Sequence, residues 1–151
     1  MKAMAAKDLG QLYDEDFSLW ACRNAQLLRE GRAAEADLAH VAEEIEDMGK
    51  ERERSLASQI RRLLLHLLKY QFQPAQRSRS WLGSMTNARV EIEWLLEHSP
   101  SLKPEIGRIL PAEYRRAVKE ASAETGLPKE SFPERCPYTF QQLMDDEFLP
   151  E

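Results

Sequence analysis

In the stretch "HVAEEIEDMG", His40 to Gly49, four carboxylates and a histidine fall within ten residues. Imidazole and carboxylate are ligands for zinc and iron and the usual groups for moving protons, so the stretch offers metal binding or acid–base chemistry. On a helix, side chains three or four apart share a face, which pairs His40 with Glu44 and, separately, Glu43 with Asp47. Bundle metal sites take ligands from several helices, so one helix supplies half a site at most. The competing reading is the solvated side of an amphipathic helix, and helical phase assigns Glu46 to that side most clearly. Glu44 is different, because Asp37, Val41, Glu44 and Met48 form a row beside the apolar seam.

Asp16 is the best partner for Glu44. If the first two helices form an antiparallel pair turning near residue 32, Asp16 falls within one turn of Glu44. Two carboxylates held close at a helix interface need a cation, an arginine or a shared proton. Asp16 and Glu44 are therefore the candidate metal ligands, with a divalent ion as the implied cofactor, against salt-bridge structure as the plainer account. His66, in "LLLHLLKY", is the third candidate. It follows Glu44 by 22 residues, about 33 Å along a straight helix, so it has to come from a neighbouring layer to join the same ion. A lone histidine on an apolar face reads first as a hydrogen-bonded core residue.

A second chemistry is anion binding. Residues 50–79 carry 8 basic and 2 acidic side chains, whereas residues 1–49 carry 5 and 11 and residues 80–151 carry 8 and 13. Arg61, Arg62, Lys69, Arg77 and Arg79 form the candidate patch, with Tyr70, Phe72 and Trp81 interleaved, as a surface that holds phosphate and stacks bases needs. Yet these cations lie at several angles round the helix, and acidic and basic segments of one chain can face each other. In "RSRSW" the serines read as helix caps, since no G-x-S-x-G elbow is present. Nothing around Cys136 in the sequence lowers its pKa.

The elements that must position these groups follow from apolar spacing. Tyr13, Phe17, Trp20, Leu27 and Leu28 predict a helix capped by Asp14 and stopped by Gly31. Leu38, Val41, Ile45 and Met48 continue in phase into Leu56, Ile60, Leu63 and Leu67, which predicts one long helix over 34–72 with a buried stripe along its length. Gly49 costs such a helix only about 1 kcal/mol relative to alanine. Pro74 ends it, and Ser78 or Ser80 caps a third helix that carries Trp81, Met85, Ala88, Ile92 and Leu95 on one face and stops at "HSPS". A fourth begins near Pro104, bends or restarts at Pro111 and ends near Gly126. The final 26 residues hold four of the eight prolines and predict an extended arm with one short helix near 138–147. The fold expected is an all-α bundle of about four helices in a single domain over 1–151, with its core in 11–126 and its arm in 127–151.

A chain of 151 residues is long enough for one real core. Cys22 and Cys136 match no metal spacing and read as reduced thiols. The N-terminal "MKAMAAKDLGQLYDEDF" lacks the apolar run of a signal peptide, and no stretch is long enough to span a bilayer, so the expected location is the cytoplasm.

Together "YDEDFSLW", "LLRE", "EEIEDMGK", "HLLKYQFQP", "RSRSW", "SPSL", "FPERCPY" and "DEFLP" occur in an order that resembles a widespread bacterial and cyanobacterial family, catalogued as the twenty-ninth domain of unknown function. The resemblance covers about residues 10–150. It implies a compact, almost entirely helical protein and no reaction. Its pattern falls on Tyr13, Asp16, Phe17, Trp20, Asp37, Glu43, Glu44, Glu46, Met48, Gly49, His66, Lys69, Pro74, Ser80 and Trp81. The chain departs from it at His40, where asparagine is frequent, and at Tyr70, where tryptophan is usual.

The leading functional expectation is a helical binding or interaction module without intrinsic catalysis, with a protein partner or a homodimer formed through the long helix. The alternative is a metal-binding protein or metal-dependent enzyme using Asp16, Glu44 and His66. Third comes a nucleic-acid-associated protein using segment 50–79.

Overall fold

Asp16 interrupts the first predicted helix. In the computed structural model, which describes residues 6–151, its backbone leaves helical geometry and its carboxylate accepts the Leu19 N–H at 3.0 Å, capping a new helix. The segment therefore forms α1 (Ala6–Glu15) and α2 (Phe17–Arg29), with Asp16 rather than Asp14 as the cap. A carboxylate at this position satisfies a backbone N–H that has no partner inside the helix, and it faces the positive end of the helix dipole. Met1–Ala5 of the N-terminal segment lies outside the described residues. At the other end of α2, Gly31 turns the chain with φ of 72°, and the Arg32 and Gly31 N–H groups bond to Leu27 and Leu28 carbonyls at 2.8 and 3.1 Å. That paired closure needs the left-handed conformation glycine adopts without cost.

After a 3₁₀ turn (Ala33–Glu35) comes α3 (Leu38–Phe72), which begins four residues later than the apolar pattern alone predicts and stops as expected before Pro74. Then follow α4 (Arg79–His98), capped by Ser78, and α5 (Ile106–Thr125), closed by Gly126 with φ of 77°. α5 runs through Pro111 without restarting, since proline so near the helix start removes only the bond to the Gly107 carbonyl. The arm carries α6 (Phe140–Leu143), shorter than predicted and opened by a reciprocal cap between Thr139 and Gln142. The fold is all-α, with no strand among the described residues, and no helix there is long and apolar enough to cross a membrane.

The chain divides into two compact units, one ending at Glu51 and the other spanning Arg52–Glu151, so α3 contributes to both. In the C-terminal unit, Leu56, Ile60, Leu63, Leu64, Leu67 and Leu68 of α3 are buried against Met85, Ala88 and Ile92 of α4 and Ile106, Ile109, Ala117 and Ala121 of α5. Charge pairs align the helices. Glu53 meets Arg108, Arg61 meets Glu113 at 3.6 Å and Glu120 at 3.2 Å, and Lys69 meets Glu124 at 2.9 Å. Numbers rise together along both helices, so α3 and α5 run parallel. The cations Arg52 and Lys69 lie over the Trp94 and Trp81 rings of α4, at 4.7 and 4.8 Å, which makes α4 the antiparallel return between them.

The arm is tied back at several points. Phe132 packs edge-on against Phe72, the Tyr138 hydroxyl bonds Gln71, and the Tyr114 hydroxyl donates to the Pro133 carbonyl at 2.5 Å. Arg89, buried on α4, donates to the carbonyls of Leu143 at 2.7 Å and Phe148 at 3.3 Å.

Candidate functional site

The predicted apolar stripe of α3 does not stay buried. From Leu56 onward it is covered, but Leu38, Ile45 and Met48 are 49%, 63% and 69% exposed. What periodicity cannot say is whether anything packs on a face, and in the N-terminal unit α1 and α2 pack on a different one.

That other face carries His40 and Glu44, with Asp37 just ahead of the helix start in line with them. Tyr13 and Trp20 meet it, with Phe17 packed against both of their rings. The Tyr13 ring stacks on the His40 imidazole with centroids 4.0 Å apart, and its hydroxyl donates to Glu44 Oε1. Trp20 meets Tyr13 edge-on at 4.9 Å, and its Nε1–H donates to Asp37 Oδ2 at 3.0 Å. The same Asp37 oxygen is 2.7 Å from His40 Nδ1. Behind it, buried Asn24 accepts the Asp37 backbone N–H at 2.7 Å and donates to the Trp20 carbonyl at 2.8 Å. Each polar atom drawn inward thus has a partner, which low-dielectric surroundings require.

The electrostatics follow from these contacts. The bond to Asp37 raises the His40 pKa above its ordinary value. Partial burial pushes the Asp37 carboxyl up, but hydrogen bonds from His40 and Trp20 outweigh it and hold the group below the usual carboxylate range. Glu44, accepting from the Tyr13 hydroxyl, pushes the phenol up to about 12. The cluster is a charge-assisted clasp between α3 and the first two helices, with His40 and Asp37 as an ion pair whenever the imidazole is protonated.

The residues singled out as metal ligands have these places. Asp16 caps α2 through Leu19, Glu44 accepts from Tyr13, and His66 Nδ1 lies 2.8 Å from the Arg62 carbonyl one turn back on α3. Among the described residues, no three His, Cys, Asp or Glu side chains are grouped as a metal site. In the basic segment, Arg61 and Lys69 join the ion pairs with α5, and Arg77 lies over the Tyr70 ring at 4.1 Å while donating to the Tyr70 carbonyl. A separate cleft of about 530 Å³ in the C-terminal unit is lined by Tyr114, Val118, Phe132 and Pro133 with Arg115, Lys129, Glu130 and Glu134, none of them among the predicted site residues.

Sequence reasoning missed Tyr13 and the Asp37–His40–Trp20 link. The signal was present, since aromatic residues at 13, 17 and 20 mirror the polar residues at 37, 40 and 44 across the predicted turn. His40, where the chain departs from the family pattern, is the ring on which Tyr13 rests.

The family model described as Domain of unknown function DUF29 matches residues 12–149. No curated protein and no solved structure matches the chain.

Proposed function

The chain belongs to the DUF29 family, and on that premise, which supplies a family and no reaction, we propose that it is a helical binding module whose contact surface is the first three turns of α3. One observation carries this reading: the row Leu38, Ile45 and Met48, three large apolar side chains on one face that are 49%, 63% and 69% exposed. Scattered surface hydrophobics are ordinary, but a contiguous apolar face is the mark of an interaction site. The Tyr13–Glu44 and Asp37–His40–Trp20 clasp supports this by holding α3 along the neighbouring face, which leaves the row presented. Pairing of Arg61 and Lys69 with α5 favours this surface over the basic segment as the working one.

The test has a folding arm and a contact arm. Replacing Ile45 and Met48 together by serine is expected to change unfolding free energy by no more than about 0.5 kcal/mol per site, as for surface positions, whereas Leu63→Ala costs about 2–5 kcal/mol. A photo-crosslinking residue placed at Ala42 in living cells is expected to give discrete adducts that disappear in the double-serine variant and that the same residue at exposed Ala123 does not give. Absence of adducts at Ala42, or equal adducts at both positions, would overturn the reading.

A further inference from the structure

We propose that the cleft of the C-terminal unit binds a small zwitterion with an apolar body, of the size of a hydrophobic dipeptide. The cleft is separate from the α3 row and serves a different ligand. Two hydrogen bonds set its register. Near the end of α5 the Ser122 hydroxyl donates to the Leu127 carbonyl at 2.6 Å, and about two turns earlier the Tyr114 hydroxyl donates to the Pro133 carbonyl at 2.5 Å. The chain past Gly126 therefore runs back antiparallel along α5, and the cleft of about 530 Å³ lies between them. Burial pushes the Tyr114 phenol up to about 12, so this tie keeps its proton across neutral pH. The volume suits a small-molecule site, which is mostly apolar with a few polar groups that fix orientation. Here Tyr114, Val118, Phe132 and Pro133 supply the apolar lining.

The charged groups of the lining select the ligand. In the antiparallel register Arg115 and Glu134 lie at the Tyr114 end, and Lys129 and Glu130 at the Val118 end. Each end thus presents one cation and one carboxylate. Among the described residues none of these four is held in an ion pair, whereas the neighbouring Arg116 is taken up by Glu113. Two positive and two negative groups cancel at a distance, so the cleft has no net attraction for a polyanion or a simple cation. Close up, a ligand that carries both signs gains a charge-assisted hydrogen bond at each end. Tyr114 and Val118 are four residues apart, which separates the ends by roughly 6 Å along the helix. An extended dipeptide sets its ammonium and carboxylate at most about 7 Å apart and leaves its side chains for the apolar lining. A free amino acid carries both charged groups on one carbon and reaches only one end.

The experiment titrates phenylalanyl-leucine into the full chain and follows the backbone amides by NMR. Binding is expected to shift the amides of Val118, Lys129 and Phe132. Its affinity is expected to exceed, at least about tenfold, that of the same dipeptide acetylated and amidated at its ends and that of free phenylalanine. Arg115→Glu with Lys129→Glu, both at exposed positions, leaves no cation for the carboxylate and is expected to weaken binding at least about tenfold. Circular dichroism checks that this variant keeps its helices; if it does not, Arg115→Gln with Lys129→Gln makes the same comparison without reversing charge. Equal binding of the capped dipeptide would overturn the zwitterion, and equal binding of free phenylalanine would overturn the two-ended site. Shifts confined to residues outside the cleft, unchanged affinity in the double variant, or no binding at all would overturn the proposal as a whole.

Discussion

At residue scale, His40 shows how a single ionisable group can be tied into a structural contact. Its raised pKa means that the folded form holds its proton more tightly than the unfolded chain does. By linkage, the stabilisation from this group is fully present below the ordinary histidine value and is lost as pH rises through the folded one. Asp37 behaves oppositely. Its depressed pKa makes its contribution complete above the ordinary aspartate value and lost as pH falls through the folded one. The Asp37–His40 pair is therefore strongest between the two, where one partner is ionised and the other protonated. Titration of the His40 ring protons by NMR is expected to give a pKa above the ordinary 6.5, and Asp37→Asn is expected to bring it down. An unchanged midpoint in that variant would remove Asp37 as the cause. Identifying Glu44 as a residue turned away from bulk water was possible from helical phase alone. Its partner was not, because Asp16 and Tyr13 are both compatible with an antiparallel pair, and only the one-residue break at Asp16 decides which of them turns towards α3.

Among the elements, two glycines with opposite conformations make opposite predictions. Gly49 lies inside α3 with helical backbone and open space where a Cβ would be, so Gly49→Ala removes only unfolded-state freedom and is expected to stabilise by about 0.5–1 kcal/mol. Gly126 closes α5 at a positive φ, and Gly126→Ala is expected to cost about 1–2 kcal/mol. Urea denaturation of both variants checks the pair, and the same sign for both would contradict the backbone account. Most element ends were legible because their causes are local: Gly31, Ser78 and Gly126 cap or stop helices at the positions their types suggest. The interruption at Asp16 was harder to read. Apolar spacing runs straight through it from Tyr13 to Trp20, and a carboxylate in mid-pattern looks the same whether it is solvated or capping. The uncovered half of the α3 stripe was hidden for a further reason: periodicity identifies a face fit for burial, and burial itself depends on which helices reach it.

For the whole molecule, Arg89 makes more bonds to the arm than any other side chain discussed. From α4 it bonds the carbonyls of Leu143, Asp146 and Phe148, 54, 57 and 59 positions later, and burial lowers its pKa. Arg89→Met keeps much of the apolar stem and deletes all these donors, leaving carbonyls that must find water. The expected outcome is an arm that opens: trypsin should cut after exposed Arg135 at least about tenfold faster, while helix content hardly changes. Equal cleavage in both proteins would mean that Phe132 and Tyr138 hold the arm without Arg89. The same bonds also bear on how the chain is made. Synthesis delivers α4 well before the residues that satisfy its buried cation, so until Phe148 has left the ribosome Arg89 lacks these partners and must keep its water. The C-terminal unit can gather its helices during translation, but the final locking step waits for the arm, leaving an interval in which a chaperone or protease meets an unlatched bundle.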